Sequence, residues 1–360
     1  ILNLFQNKDG VNKIGLSLAV GALAVSAYAI FQKLTGLGIA NPLWAAATTR
    51  RAVSFFGYPN AVGLYLAPII PVLVGFLFLP AQKNCAPWLE RICYPLPKEK
   101  ISPLGISRAF LGFIILLLIL AVYYAKSYGA LVGLTVAGFI FCLLADKRAR
   151  IAAIIIVLLA GIGIYFYPPV QKPLMRKITI EDLSGQVRRY QWKETLNMLN
   201  DGRQIFGAGL DNYQKTIAPY HQPGFFYDDG TDPLFHQHTV ESAAYRAKTW
   251  QPVEIYMYPH NIILNFWSEL GLAGLFLFIW IFGKVIYNLS FIIYNSQVKK
   301  NTATIFLALG LLGAFTAIVI HGLVDVPYFK NDLSALFWIL IALSVLISKK
   351  NLPSQERKAE

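Results

Sequence analysis

The chain has 360 residues, of which 56% are hydrophobic and 14% are charged, and its mean hydropathy is +0.51. A soluble domain usually carries about a quarter charged residues, so an ordinary soluble globular protein is excluded. A net charge of +13 would suggest nucleic-acid binding in a soluble protein. Here the excess of cations has another cause, which is the sidedness of a membrane protein.

The membrane prediction rests on apolar runs of about the length that crosses a bilayer, roughly 17 to 25 residues. These runs predict an all-α, polytopic transmembrane helix bundle with about eight visible spans. The chain opens on Ile1 without an initiator Met or a signal-peptide pattern, so we expect that N-terminal spans are missing. In chain order the runs are Ile14–Phe31, Ala61–Leu79, Ala109–Ala125, Tyr128–Leu144, Ile151–Tyr167, Leu272–Leu289, Ile305–Ile320 and Leu333–Ile347.

The distribution of charge predicts the orientation of these spans. If residues 1–13 are cytoplasmic, the inner segments hold 17 Lys and Arg against 6 Asp and Glu, and the short outer loops hold 5 against 3. The segment 168–259 holds 10 against 10. This is the positive-inside bias, so we predict a multi-pass protein of the plasma (inner) membrane. The loop 33–59 and the segment 168–259 are then extracytoplasmic, whereas residues 81–105 and the C-terminal tail are cytoplasmic.

The same pattern predicts four parts of the chain. Residues 1–167 hold spans one to five, 168–259 form a large extracytoplasmic loop domain, 260–348 hold spans six to eight, and 349–360 are a cytoplasmic tail.

Within the loop domain, the helical spacing of Trp192, Leu196 and Leu199 predicts one apolar helix face that packs onto the membrane domain. A glycine-bearing turn is predicted at Phe206–Leu210, and the segment 219–238 is predicted to be irregular because it is rich in Pro, Gly and Asp.

No metal or cofactor is predicted. The three cysteines show no Cys-x-x-Cys or Cys/His ligand spacing, and Cys85 and Cys93 fall in a predicted cytoplasmic loop. His221, His236 and His238 fit no strong metal-site spacing and are predicted to be loop histidines.

Polar residues at the outer face or its membrane boundary are the candidates for function, since an uncompensated charge beside an apolar boundary is costly. They are Arg51, Lys126, Arg188, Arg189, His260, His321 and Asp325.

Four stretches, taken together and in this order, resemble the O-antigen ligase and polymerase family of bacterial membrane proteins. The first is an Arg-to-Pro-Asn segment at Arg51–Asn60. The second combines the Arg-bearing helix Ser184–Trp192 with the Gly-x-Gly turn of Phe206–Tyr213. The third runs from Tyr258-Pro-His-Asn to Gly274, and the fourth is the His-Gly-Leu-Val-Asp segment 321–325 with Pro-Tyr-Phe after it.

The chain departs from the family pattern in three places. Residues 127–129 read Ser-Tyr-Gly where the family commonly shows Ser-Arg-Gly, and whether Lys126 replaces the arginine stays open. Two residues separate Gly185 from Arg188, which are adjacent in the family's Gly-Arg pair. The segment 214–257 is longer than expected, so we expect an acceptor that differs from the usual one.

The resemblance implies a metal-independent glycosyltransferase of lipopolysaccharide or polysaccharide biosynthesis in the cell envelope. It would move a glycan from an undecaprenyl-diphosphate carrier to an acceptor hydroxyl outside the membrane. The planar, permanently charged guanidinium of arginine matches phosphate oxygens, and a histidine can accept the proton of the hydroxyl. We therefore assign the catalytic roles to Arg188 and His260. The expected substrate-binding residues are Arg51, Lys126, Arg189, His321 and Asp325.

Each assignment has a structural alternative. Arg188 could be a solvated helix charge, His260 a helix-start residue, and Arg51 an interfacial cation that snorkels. His321 and Asp325 are one helical turn apart and could pair to close the end of a span.

Other functions also remain open. A polymerase of the same family would use a second lipid-linked glycan as acceptor, and a protein O-glycosyl ligase would use a protein. A non-enzymatic transporter of polysaccharide or lipid-linked sugar is the alternative from another class, and a structural scaffold would need neither the His nor the Arg set. The expected partners are the undecaprenyl-diphosphate-linked glycan donor, a lipid or glycan acceptor and membrane lipids, but no nucleic acid.

Overall fold

The computed structural model describes residues 8–79, 104, 106–298, 302–327 and 331–351. The predicted inner loop with Cys85 and Cys93 and most of the predicted tail lie outside these residues. The structure confirms the all-α polytopic bundle, because six described helices are long and apolar enough to cross a membrane. Two shorter apolar helices, Arg108–Tyr124 and Leu333–Ser348, account for the remaining predicted spans.

The described residues divide into two compact units. The first comprises residues up to Ala153, Ile281–His321 and the residues from Pro327 onward, and the second comprises Ile154–Trp280 with Gly322–Val326. These units reflect contacts within the structure, whereas the predicted four-part division follows membrane spans and loops. The four-part division stays a prediction.

The elements of the first unit are mainly long apolar helices. They are α1 (Lys8–Thr35), α2 (Pro42–Ala45), α3 (Pro59–Phe78), α4 (Arg108–Tyr124), α5 (Tyr128–Ala145), the start of α6 (Lys147–Phe166), the end of α12 (Ile262–Val298), α13 (Thr302–Gly322) and α14 (Asn331–Asn351).

Helix α3 lies at the centre of the first unit and packs against α1, α4 and α5. It begins with Pro59, whose fixed φ suits the first helical position. Small residues let other backbones come close to it. A Cβ on Gly75 would lie 2.6 Å from the Phe306 carbonyl oxygen, and one on Gly310 would lie 2.6 Å from that of Pro71. Without side chains at these positions, α3 and α13 approach closely, as apolar helices in membranes commonly do.

The second unit contains shorter elements. They are the rest of α6, α7 (Pro168–Ile178), α8 (Leu183–Met198), a π-helical turn (Leu199–Arg203), α9 (Tyr213–Ile217), a 3-10 turn (Ala218–Tyr220), β1 (Gly224–Phe226), α10 (Phe235–Glu241), α11 (Ala243–Thr249), β2 (Trp250–Pro252) and the first part of α12. Strands β1 and β2 pair antiparallel. The segment predicted to be irregular therefore contains β1 and the beginning of α10.

The face that α8 buries is mostly polar, and the prediction of one apolar packing face was wrong. Leu196 is 39% exposed and Trp192 is half-buried, while Leu199 is buried in the π-helical turn. The described residues buried on α8 are Gly185, Gln191, Glu194, Thr195 and Met198. The polar members of this set have hydrogen-bond partners inside the unit, and these partners make burial of a polar face possible.

The predicted glycine turn lies against α12. Gly207 has φ +67°, and the amide of Ala208 donates to the carbonyl of Ser268 at 2.5 Å. Helix α12 is interrupted at Gly271, where φ is 67° and ψ is −171°. Leu272 N–H, just beyond the interruption, donates to the Ile205 carbonyl at 3.0 Å. The break in α12 thus holds the turn in place, and the predicted sixth span begins at the break.

Candidate functional site

His260 lies immediately before α12 in an unusual backbone conformation. Its φ is +44°, in the left-handed region that few non-glycine residues adopt. The next residue, Asn261, caps α12 by accepting the Ile263 and Leu264 amides at 3.0 Å each. Its Nδ2 also donates to the Leu323 carbonyl at 3.0 Å. The cap holds the chain at this point and so maintains the left-handed conformation of His260.

Three side chains surround the imidazole of His260. The Nδ1 atom lies 2.9 Å from Oε1 of Gln191, and the rings of Tyr256 and Tyr258 lie 5.0 and 4.8 Å away between centroids. With Oε1 as the acceptor, Nδ1 carries the hydrogen, and the lone pair of the neutral ring is on Nε2. In this tautomer Nε2 is the ring atom that can accept a proton.

The environment of His260 favours the neutral ring. Burial lowers its pKa from the ordinary value of 6.5, the carboxylate of Asp325 opposes that shift, and the positive charge of Arg188 reinforces it. A histidine whose pKa is lowered is unprotonated at neutral pH, which is the state that a base requires. Asp325 and Arg188 are thus the charged residues whose opposite effects act on the pKa of His260.

Helix α8 directs three buried N–H donors from one side. They are Nε of Arg188, Nε2 of Gln191 and Nε1 of Trp192, and none has an acceptor among the residues that the structure describes. At about 100° per residue, these positions lie within one arc of roughly 100° on the helix. Buried donors are almost always hydrogen-bonded, so three together favour an acceptor-rich ligand. Ser184 accepts a hydrogen bond from Arg188 Nη1 at 2.7 Å and steadies the guanidinium.

Further along α8, a second polar layer supports the site. Glu194 accepts the Gln222 amide at 2.7 Å and lies 3.5 Å from Nδ1 of His221. The hydroxyl of Thr195 is hydrogen-bonded to that of Tyr213 at 2.7 Å. These contacts fix the rotation of α8 about its axis, and thereby the direction of Arg188 and Gln191.

In the first unit, the structure brings Arg51 and Lys126 together at the end of α4. Arg51 donates to the carbonyls of Ala125 and Lys126 at 3.0 and 3.3 Å, and to Oδ1 of Asn60 at 3.0 Å. The ammonium of Lys126 donates to the Thr49 carbonyl at 3.4 Å. The contact of Arg51 with the Ala125 carbonyl matches the usual preference of cations for helix C-termini. The substrate-binding roles of both residues stay predictions.

The remaining three predicted residues, His321, Asp325 and Arg189, differ in burial. His321, in the first unit, is 2% exposed at the end of α13, and Asp325, in the second, is 1% exposed and accepts the Val326 amide at 2.9 Å. Arg189 is exposed and lines a groove with Gln186, Tyr190 and Lys193.

The site also contains Gln191, the indole N–H of Trp192 and Tyr256, which the sequence motifs do not indicate. Gln191 follows Arg188 by three residues, and this helical spacing was the available signal.

Among the described residues, no group of three or more His, Cys, Asp or Glu could hold a metal ion. His238 contacts Asp232 at 2.7 Å, and Tyr245 donates to the same carboxylate.

Comparison with known proteins agrees with the motifs. Residues 113–279 match the family model described as O-Antigen ligase (Wzy_C). This interval contains α8, His260 and the glycine turn, and it therefore covers the site of the second unit except for Asp325. No curated protein matches the chain significantly.

Proposed function

We propose that this chain, which belongs to the O-antigen ligase family through residues 113–279, moves a glycan from an undecaprenyl-diphosphate carrier to an acceptor hydroxyl. The apolar helices indicate an integral membrane protein, and the family match indicates a glycosyltransferase of the ligase or polymerase type. The particular donor, the acceptor, the inner membrane and the extracytoplasmic face of the site are parts of the proposal. The face is supported by the excess of Lys and Arg in the predicted inner segments.

The observation that carries the proposal is the group of donors on Arg188, Gln191 and Trp192. A diphosphate offers many acceptor oxygens and at least two negative charges, which match one guanidinium and two neutral N–H groups. Because the donors are buried, their hydrogen bonds to an anion are stronger than they would be in water. The negative charge that develops on the leaving diphosphate would be stabilised by the same groups.

His260 would serve the other half of the reaction. Its Nε2 accepts the proton of the acceptor hydroxyl while the hydroxyl oxygen forms a bond to the anomeric carbon. The bond between that carbon and the diphosphate oxygen breaks with its electron pair on the oxygen, so lipid diphosphate leaves as an anion. The proton remains on the imidazole, where the nearby carboxylate of Asp325 stabilises the charge.

The test is an assay of the purified chain with an undecaprenyl-diphosphate glycan and an acceptor glycan, in which released undecaprenyl diphosphate is measured. The wild-type chain should release it only when the acceptor is present. His260→Ala should lower the rate by roughly 10²–10⁴-fold, the usual contribution of general base catalysis, while leaving donor affinity in place.

A matched control is His236→Ala, because His236 is exposed on α10 and has no place in the proposed site. His260→Gln separates a base from an orienting group, since glutamine can hydrogen-bond but cannot accept a proton at neutral pH. Wild-type turnover in His260→Ala would remove the base assignment. Absence of release by the wild-type chain with any tested acceptor, together with transport of the donor in vesicles, would favour the transporter.

A further inference from the structure

A second polar site lies on a different side of α8 from the three buried donors. Gln186, Arg189, Tyr190 and Lys193 line an open groove with a volume of about 400 Å³. This volume falls within the range of roughly 300–1,000 Å³ that is usual for small-molecule sites. The four residues recur at helical spacing and face away from Arg188 and Gln191. The groove is therefore separate from the proposed reaction centre but belongs to the same helix.

The two cations of the groove favour an anionic ligand. Arg189 and Lys193 are both exposed and four residues apart, so their like charges repel each other across one helical turn. Neither forms a salt bridge within the described part of the chain. An anion between them would relieve the repulsion, and the arginine fork matches a carboxylate or a phosphate in two-point fashion.

The remaining lining residues favour a sugar. The ring of Tyr190 stacks on the buried Phe225 at 4.6 Å between centroids and 11° between planes, which makes it a rigid aromatic platform. Gln186 directs its Nε2 at the carbonyls of Glu181 and Asp228, at 2.9 and 3.4 Å. Its carbonyl oxygen is thereby presented as an acceptor for a hydroxyl. A pyranose offers both an apolar C–H face and hydroxyl donors.

We infer that the groove of Gln186, Arg189, Tyr190 and Lys193 binds an acidic sugar residue, which carries a carboxylate or phosphate group, in a glycan substrate. Arg189 and Lys193 bind the anionic group, Tyr190 stacks on the sugar ring, and Gln186 accepts a hydroxyl hydrogen. The inference rests on the proposed function only in taking the ligand to be a substrate. It adds a specificity determinant, because neutral glycans would gain nothing from the two cations.

The test is a binding measurement on the detergent-solubilised full chain, with trigalacturonate as the acidic probe and its methyl ester as the neutral one. The wild-type chain should prefer the acid, and the preference should weaken as salt is raised. The double variant Arg189→Gln, Lys193→Gln should bind trigalacturonate roughly 2- to 30-fold more weakly, since each exposed ion pair contributes about 0.2–1 kcal/mol, while its affinity for the methyl ester stays the same. Tyr190→Leu should weaken both probes.

Two controls separate this site from charge in general and from the reaction centre. Arg203→Gln with Lys215→Gln removes the same charge from exposed positions of the same unit and should leave trigalacturonate binding unchanged. Arg189→Lys with Lys193→Arg keeps both charges and should retain most of the affinity. Arg188→Lys should weaken the binding of farnesyl diphosphate, a soluble diphosphate probe, without changing the affinity for trigalacturonate.

Equal affinities of the wild-type chain for the acid and the ester would overturn the inference, as would an unchanged affinity of the double variant. A double variant that loses binding to phosphatidylglycerol vesicles but keeps trigalacturonate would show a lipid site and would also overturn it. A chain that binds trigalacturonate through the groove but releases no undecaprenyl diphosphate would contradict the proposed function alone.

Discussion

The Nδ1 atom of His260 and the Oε1 atom of Gln191 lie 2.9 Å apart, although 69 positions separate the two residues in the sequence. Gln191 is 3% exposed, so its amide cannot easily turn away from the imidazole. The contact joins α8, which carries Arg188, to the segment that leads into α12. It sets the tautomer of the imidazole and fixes its position relative to the proposed diphosphate site.

Gln191→Leu should therefore impair turnover more than donor binding. Loss of one hydrogen bond is worth about 1 kcal/mol, so we expect kcat to fall roughly fivefold, and further if the tautomer is no longer fixed. Gln191→Glu should instead raise the pKa of His260, because a carboxylate beside Nδ1 favours the charged ring. The acid limb of its rate–pH profile should move to higher pH. Gln204→Leu, at an exposed position, is the control. Unchanged kcat and pH profile in both Gln191 variants would mean that this contact does not position the base.

Arg188→Lys tests the geometry of the proposed diphosphate site at constant charge. Lysine keeps the positive charge but loses the planar fork and the Nε donor that lies beside Gln191 and Trp192. Because a hydrogen bond to a charged group contributes about 1.5–3 kcal/mol, donor affinity should fall roughly 10- to 100-fold. Titration of farnesyl diphosphate against the purified protein would measure the change. Arg203→Lys, an exposed exchange of the same kind, should have no effect. Full affinity in Arg188→Lys would mean that Arg188 contributes charge alone.

Gly271→Ala tests the break in α12 that holds the glycine turn. At φ 67° and ψ −171° an alanine is strained, and its Cβ would clash with the carbonyl oxygen of Ile205. The free energy of unfolding should fall by about 2 kcal/mol or more, which thermal denaturation in detergent would detect. Gly283→Ala on the same helix is the control, since nothing lies within 4 Å of its added Cβ. It should be neutral or stabilising because alanine favours helix. Equal melting temperatures of the two variants would contradict the role of the break.

The span pattern could be predicted because the bilayer imposes it locally. The length and hydropathy of a run such as Tyr128–Leu144 can be read from that run alone, without knowledge of other segments. The turn at Phe206–Leu210 was also predictable, since two glycines in three residues indicate positive φ, and Gly207 and Gly209 both have it. The buried face of α8 was not predictable in this way. Burial of Glu194 and Thr195 depends on Gln222 and Tyr213, partners that the local pattern does not contain.

The candidate site shows the same division. Arg188 and His260 could be proposed from short motifs, because charged groups at a membrane boundary stand out in an apolar sequence. Gln191 looks like any polar helix residue until its long-range partner is known. The guanidinium of Arg51 contacts the carbonyls of Ala125 and Lys126, and no pattern in the sequence indicates this contact. A helix C-terminus presents such carbonyls without any sequence motif.

The pH dependence of transfer should report the environment of His260. A base works only when unprotonated, so the rate should fall as the pH is lowered through the pKa of His260. Burial lowers that pKa below the ordinary value of 6.5, so the midpoint of the acid limb should lie below pH 6.5.

The lowered pKa of His260 also affects the stability of the fold. Because the unfolded chain binds this proton more readily, the contribution of His260 to folding is present above pH 6.5 and is lost as the pH falls through the folded-state pKa.

Asp325→Asn should move the acid limb of the rate–pH profile to a still lower pH. The carboxylate of Asp325 raises the pKa of His260, and the amide removes that charge while its Oδ1 can still accept the Val326 amide at the same position. Rate–pH profiles of the wild-type and variant chains measure the shift, and Asp229→Asn on an exposed loop controls for charge in general. The variant should also be slower near neutral pH, since the protonated imidazole that forms during transfer has lost a neighbouring charge. An acid limb that does not move in Asp325→Asn, or that moves to higher pH, would show that the titrating base is a group other than His260.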